Sequence, residues 1–110
     1  WIPLGTDFPV ENVSTFKTFY AAVARKDGKG WPENGFQKEN ALSREETLRG
    51  MTIWAARANF EEKEKGSLEK GKYADFVILD QDLMKTNEKE LLQTIVLQTW
   101  LGGKKVYEKK

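Results

Sequence analysis

The Gly102-Gly103 pair near the end of the chain most constrains the fold. Both glycines can adopt positive φ, and two such residues between apolar stretches are typical of a two-residue β-hairpin turn. The pair separates residues 94–101 from residues 104–108, which would be the paired strands. The sequence therefore predicts an antiparallel β-hairpin at this end of the chain.

Two further strands are predicted from apolar runs. Residues 73–80 contain the run Phe76 to Leu79, whose continuity is typical of a strand buried on both faces. We expect this strand to pair beside the hairpin. Residues 1–5 form a shorter apolar run that ends at Gly5, and the polar turn of residues 6–9 follows it.

An amphipathic helix is predicted over residues 14–26, because its apolar residues recur at positions i, i+3, i+4 and i+7. These residues are Phe16, Phe19, Tyr20 and Val23. Gly28 is the expected stop signal. Residues 27–40 contain four Gly or Pro residues among polar side chains, which predicts a loop.

A second helix is predicted over residues 44–59, beginning at a capping box formed by Ser43 and Glu46. The apolar spacing assigns its inner stripe to Leu48, Met51, Ala55 and Ala58. Gly50 lowers the stability of such a helix by about 1 kcal/mol relative to Ala, which indicates close packing at that turn. A short helix is predicted over residues 86–92.

The 110-residue chain contains neither Cys nor His. Disulfides, a thiolate nucleophile, an imidazole base and the usual zinc sites are therefore excluded within it. The net charge of +1 gives no excess positive field for nucleic acid or anionic lipid, and no apolar run approaches the ~20 residues of a membrane helix. We therefore expect no nucleic-acid or membrane partner. The chain begins with Trp1 and shows no leader, so we expect a piece of a longer cytoplasmic protein.

Three stretches of the sequence carry a family resemblance. The first is Gly5-Thr6-Asp7-Phe8-Pro9-Val10, the second runs from Leu42 to Ala56, and the third runs from Gly66 to Asp80 with Thr99 to Tyr107 near the end. Together they resemble the C-terminal end of metal-dependent amidohydrolases, of the amidohydrolase-3 or YtcJ-like type. Each stretch alone is a weak signal, but their order and their coverage of nearly the whole chain are specific.

The resemblance implies an α+β part of a larger fold, a (β/α)8 TIM barrel beside a small composite β-sandwich. Residues 1–65 would supply the last barrel strand and helices, and residues 66–110 the C-terminal hairpin and strand of the sandwich. The parent protein would hydrolyse carbon–nitrogen bonds other than peptide bonds, and the isolated chain would be inactive. Exposed barrel faces would then allow self-association. They would include Trp1, Ile2, Leu4, Phe16 and Phe19.

The resemblance also implies that Asp7 is the catalytic residue and metal ligand of this chain. Catalytic groups of such barrels lie at the C-terminal ends of the strands, and Asp7 follows the predicted strand of residues 1–5. In the family the matching Asp binds a divalent metal, with zinc expected here, and carries a proton to the leaving nitrogen of a small amide-type substrate. The other ligands would be His and Lys or Glu residues outside this chain. We therefore expect no metal in the isolated chain.

Each of these carboxylates also has a simpler interpretation. Asp7 can be a turn residue whose carboxylate bonds the local backbone. The pairs Glu45 with Glu46 and Asp75 with Asp80 are explained by capping and by a solvated strand end, so we reject them as sites.

The loop of residues 27–40 carries two aromatic residues, Trp31 and Phe36, with lysines nearby. Such residues could stack nucleic-acid bases, whereas the family resemblance makes this loop cover the barrel mouth and contact substrate. An alternative function of a different class is a free-standing α+β interaction or regulatory module whose exposed apolar faces bind a partner.

Overall fold

Helices fill the first half of the chain and a three-stranded sheet fills the second half. The computed structural model describes all of residues 1–110. The elements are α1 (Thr15–Ala24), a first 3-10 turn (Lys38–Asn40), α2 (Arg44–Met51), α3 (Ile53–Ala58), β1 (Phe76–Leu79), a second 3-10 turn (Glu88–Gln93), β2 (Val96–Leu101) and β3 (Lys104–Glu108). This mixed α and β composition confirms the predicted α+β class. None of the helices has both the length and the apolar character needed to cross a bilayer.

The sheet has the order β1-β2-β3, and both pairings are antiparallel. Gly102 and Gly103 adopt φ angles of 56° and 76° and connect β2 to β3, which confirms the predicted hairpin. Phe76 of β1 lies opposite Trp100 of β2, and their rings stack with centroids 5.6 Å apart. The predicted pairing of the 73–80 region beside the hairpin is therefore confirmed, although β1 itself is only four residues long.

The expectation that β1 is buried on both faces is wrong. Val77 and Ile78 are each about half exposed, at 51% and 42%. The reason is that no layer of the chain packs closely over the strand. A groove of about 1100 Å³ lies between the sheet and helices α2 and α3, and its lining includes Phe76, Leu79 and Trp100.

The core lies between α1 and the second 3-10 turn. Its fully buried members are Phe19, Tyr20, Ala24 and Leu91. The predicted apolar stripe of α1 is thus confirmed, but α1 ends at Ala24, before the Gly28 stop signal. Arg25 itself adopts a left-handed φ of 57°, and its N–H donates to the Ala21 carbonyl. A basic side chain closes the helix where glycine is the usual choice.

The predicted helix of residues 44–59 consists of two helices that meet at Thr52. The capping box is confirmed: the Ser43 hydroxyl accepts from the Glu46 N–H at 3.1 Å, and the Glu46 carboxylate accepts from the Ser43 N–H at 2.9 Å. At Thr52 the backbone leaves the helical region, with φ −125° and ψ −95°. The Thr52 hydroxyl donates to the Leu48 carbonyl at 2.7 Å, and such bonds compete with helix continuation.

The predicted inner stripe of this region is confirmed only at Met51, which packs against the core. The buried residues are instead Thr47, Gly50 and Ala56. Leu48 and Ala55 of the predicted stripe line the open groove beside the sheet and are not covered by a neighbouring element. The close packing predicted at Gly50 is confirmed. A Cβ placed there would lie 2.9 Å from both the Ile2 carbonyl oxygen and the Leu4 Cγ.

Residues 1–5 do not form the predicted strand. A strand needs a neighbour for its backbone groups, and the sheet of this chain lies in the other half of the sequence. Trp1 and Ile2 are exposed, at 64% and 50%, as expected for uncovered apolar residues. Leu4 and Phe16 are half-buried. Phe19 was expected to be partly exposed as well, and this is wrong, since it is 1% exposed in the core.

Candidate functional site

The predicted site residue Asp7 lies in a tight turn between residues 1–5 and α1. The turn is closed by the Val10 N–H, which donates to the Asp7 carbonyl at 2.8 Å. The Thr6 hydroxyl oxygen accepts from the Phe8 N–H at 3.3 Å. The backbone and Thr6 therefore shape the turn, and the Asp7 side chain is left on its exposed side.

The Asp7 carboxylate makes no hydrogen bond or ion pair within the chain, unlike other turn aspartates here. The Asp27 carboxylate accepts from the Lys29 and Trp31 N–H groups at 2.8 and 3.0 Å. The Asp82 carboxylate accepts from the Met84 N–H at 2.8 Å. The Asp7 carboxylate thus lacks the local backbone bond that the simpler interpretation expects.

Asp7 also has a left-handed backbone, with φ 49°. This region disfavours side chains other than glycine because Cβ crowds the backbone, although Asp tolerates it better than most residues. A glycine would satisfy the turn without strain. The site therefore consists of an unpartnered carboxylate at a backbone position where its side chain brings no local stabilisation.

The carboxylates of the chain do not gather into a metal site, since no three Asp or Glu residues lie together as potential ligands. A catalytic zinc typically takes three protein ligands, so Asp7 can fill one position of such a centre and cannot hold the ion alone. Its exposed carboxylate oxygens suit a divalent cation as a single ligand. The residues of this chain can therefore supply only one ligand of a metal centre.

A cavity of about 680 Å³ lies beside the turn, between residues 2–12 and α1. Gly5 and Thr6 line it, whereas Asp7 does not. Three of its five charged residues, Arg25, Lys26 and Asp27, are occupied in structural contacts. Lys26 Nζ donates to Glu88 at 2.8 Å, which raises the pKa of the Lys26 ammonium. The N–H groups of Trp31 and Lys29 lower the pKa of Asp27, a further lining residue.

The loop of residues 27–40 leaves α1 at its C-terminal end, whereas the Asp7 turn leads into the N-terminal end. Ten residues of α-helix, about 15 Å at 1.5 Å per residue, separate these two ends. Trp31 and Phe36 are both exposed on this loop, and the Arg25 guanidinium lies 5.9 Å above the Phe36 ring. Asp27, Gly28 and Asn40 of this loop line the cavity beside the turn, whereas Trp31 and Phe36 do not, so we leave only these two aromatics out of the candidate site.

The carboxylate pairs rejected from the sequence have structural partners. Glu45 pairs with Arg49 at 2.9 Å, in addition to the capping role of Glu46. Asp75 accepts from the Gly102 N–H at 2.7 Å, and Asp80 accepts from the Ile95 N–H at 2.8 Å. Rather than forming the solvated strand end expected from the sequence, these two aspartates hold the sheet through these bonds. Nothing in their spacing indicated those partners.

The chain matches known proteins over almost its whole length. The family model described as "Amidohydrolase family" matches residues 2–107. An N-substituted formamide deformylase of Arthrobacter pascens is 33% identical over 108 residues, which are 98% of this chain and 19% of that protein. The Arabidopsis thaliana protein LONG AFTER FAR-RED 3 is 37% identical over 106 residues, which are 96% of this chain and 18% of that protein.

A solved structure has the same fold over the matched region. The crystal structure of an amidohydrolase from Thermotoga maritima MSB8 superposes with a TM-score of 0.66 and 21% sequence identity, covering 98% of this chain and 23% of that one. The chain thus spans about a fifth of the length of the curated relatives that it matches. The family resemblance stated from the sequence is confirmed.

Proposed function

The chain belongs to the amidohydrolase family, and from that premise we propose that it is the C-terminal part of a longer metal-dependent hydrolase. Its substrates would be small molecules with a carbon–nitrogen bond other than a peptide bond. The relative named as an N-substituted formamide deformylase supports an amide-type substrate. Residues 1–65 would belong to a TIM barrel and residues 66–110 to a composite β-sandwich, in a cytoplasmic enzyme.

The observation that carries this proposal is the unpartnered carboxylate of Asp7. It follows residues 1–5, the stretch that would be the last barrel strand, and catalytic groups of such barrels lie at strand C-terminal ends. The other carboxylates of the matched stretches have structural partners. Glu46, Asp75 and Asp80 accept from backbone N–H groups, and Glu45 and Glu69 form ion pairs.

In the proposed enzyme Asp7 has two roles, metal ligand and proton carrier. A bound divalent ion, with zinc expected, would supply Lewis-acid chemistry at the substrate. A carboxylate such as that of Asp7 can accept a proton from the attacking water in general acid–base catalysis. It would then hold that proton at a carboxylate oxygen and deliver it to the leaving nitrogen. The remaining ligands would come from the longer protein.

The test is Asp7→Asn in the longer hydrolase. Asn keeps the size of the side chain but cannot carry the proton, so turnover should fall by ~10²-fold to 10⁴-fold with the fold retained. Asp82→Asn is the matched control, because its oxygen can still accept from the Met84 N–H. Equal turnover in the two variants would show that Asp7 is a turn residue only. The 110-residue chain itself should show no hydrolase activity.

A free-standing interaction module is the second candidate, favoured by the open apolar groove of about 1100 Å³ between the helices and the sheet. Both candidates predict self-association of the 110-residue chain through exposed apolar surface. The native gene product distinguishes the two candidates. Only the hydrolase requires an upstream His-x-His motif and an activity that depends on Asp7.

A further inference from the structure

The segment that carries Asp7, residues 1–13, makes few hydrogen bonds with the rest of the molecule. A single backbone hydrogen bond links it to the remainder of the chain, from the Leu4 N–H to the Gly50 carbonyl at 2.9 Å. The other bonds of the segment are local, as in the Asp7 turn. At its start, the Arg57 guanidinium lies 5.2 Å above the Trp1 ring. The position of Asp7 therefore depends on how residues 1–4 sit against α2.

Gly50 is the residue of α2 that residues 1–4 contact. The space that a Cβ at Gly50 would fill is occupied by the Ile2 carbonyl oxygen at 2.9 Å and by Leu4 Cγ and Cδ1 at 2.9 and 3.0 Å. One of these three atoms belongs to the backbone, so a rotamer change cannot relieve the contact. Gly50 thus accepts the bond from Leu4 and also provides the room that the bond needs.

A Gly-to-Ala substitution at Gly50 is expected to change stability in the direction opposite to that at an ordinary helix position. In a helix interior, replacing Gly by Ala usually stabilises the protein. Here the added methyl group must push residues 2–4 away from α2, because contacts below 3.0 Å are not tolerated. Asp7 follows Leu4 by three residues, and its turn has no second anchor in the helices.

We propose that Gly50 is a positioning residue for Asp7, which fixes the carboxylate by admitting the backbone of residues 2–4 against helix α2. The inference rests on the proposed function, in which Asp7 touches the reacting groups. Gly50 contacts no reacting group itself and acts only through the N-terminal segment. A displacement of about 1 Å at a catalytic group can lower the rate by ~10²-fold, so a small shift is enough.

The first experiment measures the contact in the 110-residue chain. Gly50→Ala is compared with Gly28→Ala, a matched control because a Cβ at Gly28 meets nothing within 4 Å. We expect amide exchange of Leu4 to accelerate by at least ~10-fold in Gly50→Ala, with chemical-shift changes over residues 2–8, and not in the control. Unchanged Leu4 exchange in both variants would overturn the inference.

The second experiment is a double-mutant cycle in the longer hydrolase with Gly50→Ala and Asp7→Asn. If Gly50 acts through Asp7, Gly50→Ala lowers kcat by ~10-fold to 10²-fold with little change in KM, and has almost no further effect in the Asp7→Asn background. An equal loss in both backgrounds would assign Gly50 to general stability and overturn the inference alone. Normal turnover of the single variant Asp7→Asn would instead overturn the proposed function.

Discussion

Among the turns of this molecule that place residues at positive φ, two use different residue types. The hairpin turn uses Gly102 and Gly103, at φ 56° and 76°, whereas the turn before α1 uses Asp7, at φ 49°. Glycine adopts this region without a Cβ penalty, while Asp carries some strain. The hairpin turn therefore uses the residue type that stabilises its conformation. The other turn keeps a side chain that its own structure does not use.

The largest effect is expected where glycine is removed from the hairpin. A Cβ at Gly102 would meet nothing within 4 Å, so any cost of substitution there comes from the backbone conformation alone. Gly102→Val should lower the free energy of unfolding by about 2 kcal/mol, because a β-branched residue is strongly disfavoured in this region. Gly102→Asn is the control, since Asn tolerates the left-handed conformation. Urea unfolding measures both, and similar losses would contradict the conformational explanation.

A second prediction concerns Phe60, where the chain again places a residue other than glycine at positive φ. Phe60 ends α3 at φ 61°, with its N–H donating to the Arg57 carbonyl and the Glu61 N–H donating to the Ala56 carbonyl. This is the Schellman arrangement, in which glycine is preferred. The Phe60 side chain is 93% exposed, so its removal forfeits little packing.

Phe60→Gly should therefore raise the free energy of unfolding by up to about 1 kcal/mol, after the extra chain entropy of glycine is subtracted. Phe60→Ala removes the ring but keeps the strained φ, and should leave stability nearly unchanged. A thermal or urea midpoint that falls in Phe60→Gly would show that the ring makes stabilising contacts.

A smaller gain is expected at Asp7. Asp7→Gly in the 110-residue chain should raise the free energy of unfolding by a few tenths of a kcal/mol, because Asp tolerates the left-handed region better than Phe. The same substitution should abolish turnover of the longer hydrolase. Opposite effects on stability and activity would separate a functional carboxylate from a turn residue. A clear loss of stability would mean that the carboxylate has a structural partner after all.

The features that the sequence predicted correctly are those set by a few neighbouring residues. The Gly102-Gly103 turn fixes the hairpin, and the Ser43 and Glu46 side chains form the expected capping box. The spacing around Phe19 and Tyr20 placed the buried face of α1. Each of these signals acts within about one turn of chain, so no knowledge of distant partners was needed.

The features that the sequence could not predict depend on what covers a segment. Residues 1–5 and Phe76–Leu79 are apolar enough for buried strands, but nothing in this chain covers them fully. The break at Thr52 follows from a side-chain bond to Leu48 that a period of apolar residues does not reveal. At the site, Asp7 was indicated only by family resemblance. Gly50 was flagged for close packing, but its partners, Ile2 and Leu4, lie some 45 residues away in the sequence.

The smallest effect is expected at the ion pair that joins the end of α1, just after the left-handed Arg25, to the second half of the chain. Lys26 Nζ lies 2.8 Å from the Glu88 carboxylate, and Lys38 Nζ lies 3.8 Å from it. The hydrogen bond from Lys26 lowers the pKa of Glu88 below its usual value and raises the pKa of Lys26. A lowered carboxyl pKa contributes stability that is present above the pKa of the unfolded chain, about 4.3, and is lost as the pH falls through the folded value. The raised pKa of Lys26 contributes stability that is lost only as the pH rises through its folded value, above about 10.4.

Glu88→Gln should therefore be slightly less stable than the parent chain in urea unfolding at pH 7, and the difference should vanish toward pH 3. A difference that persists in acid would mean that Glu88 stabilises this junction by packing and not by its charge.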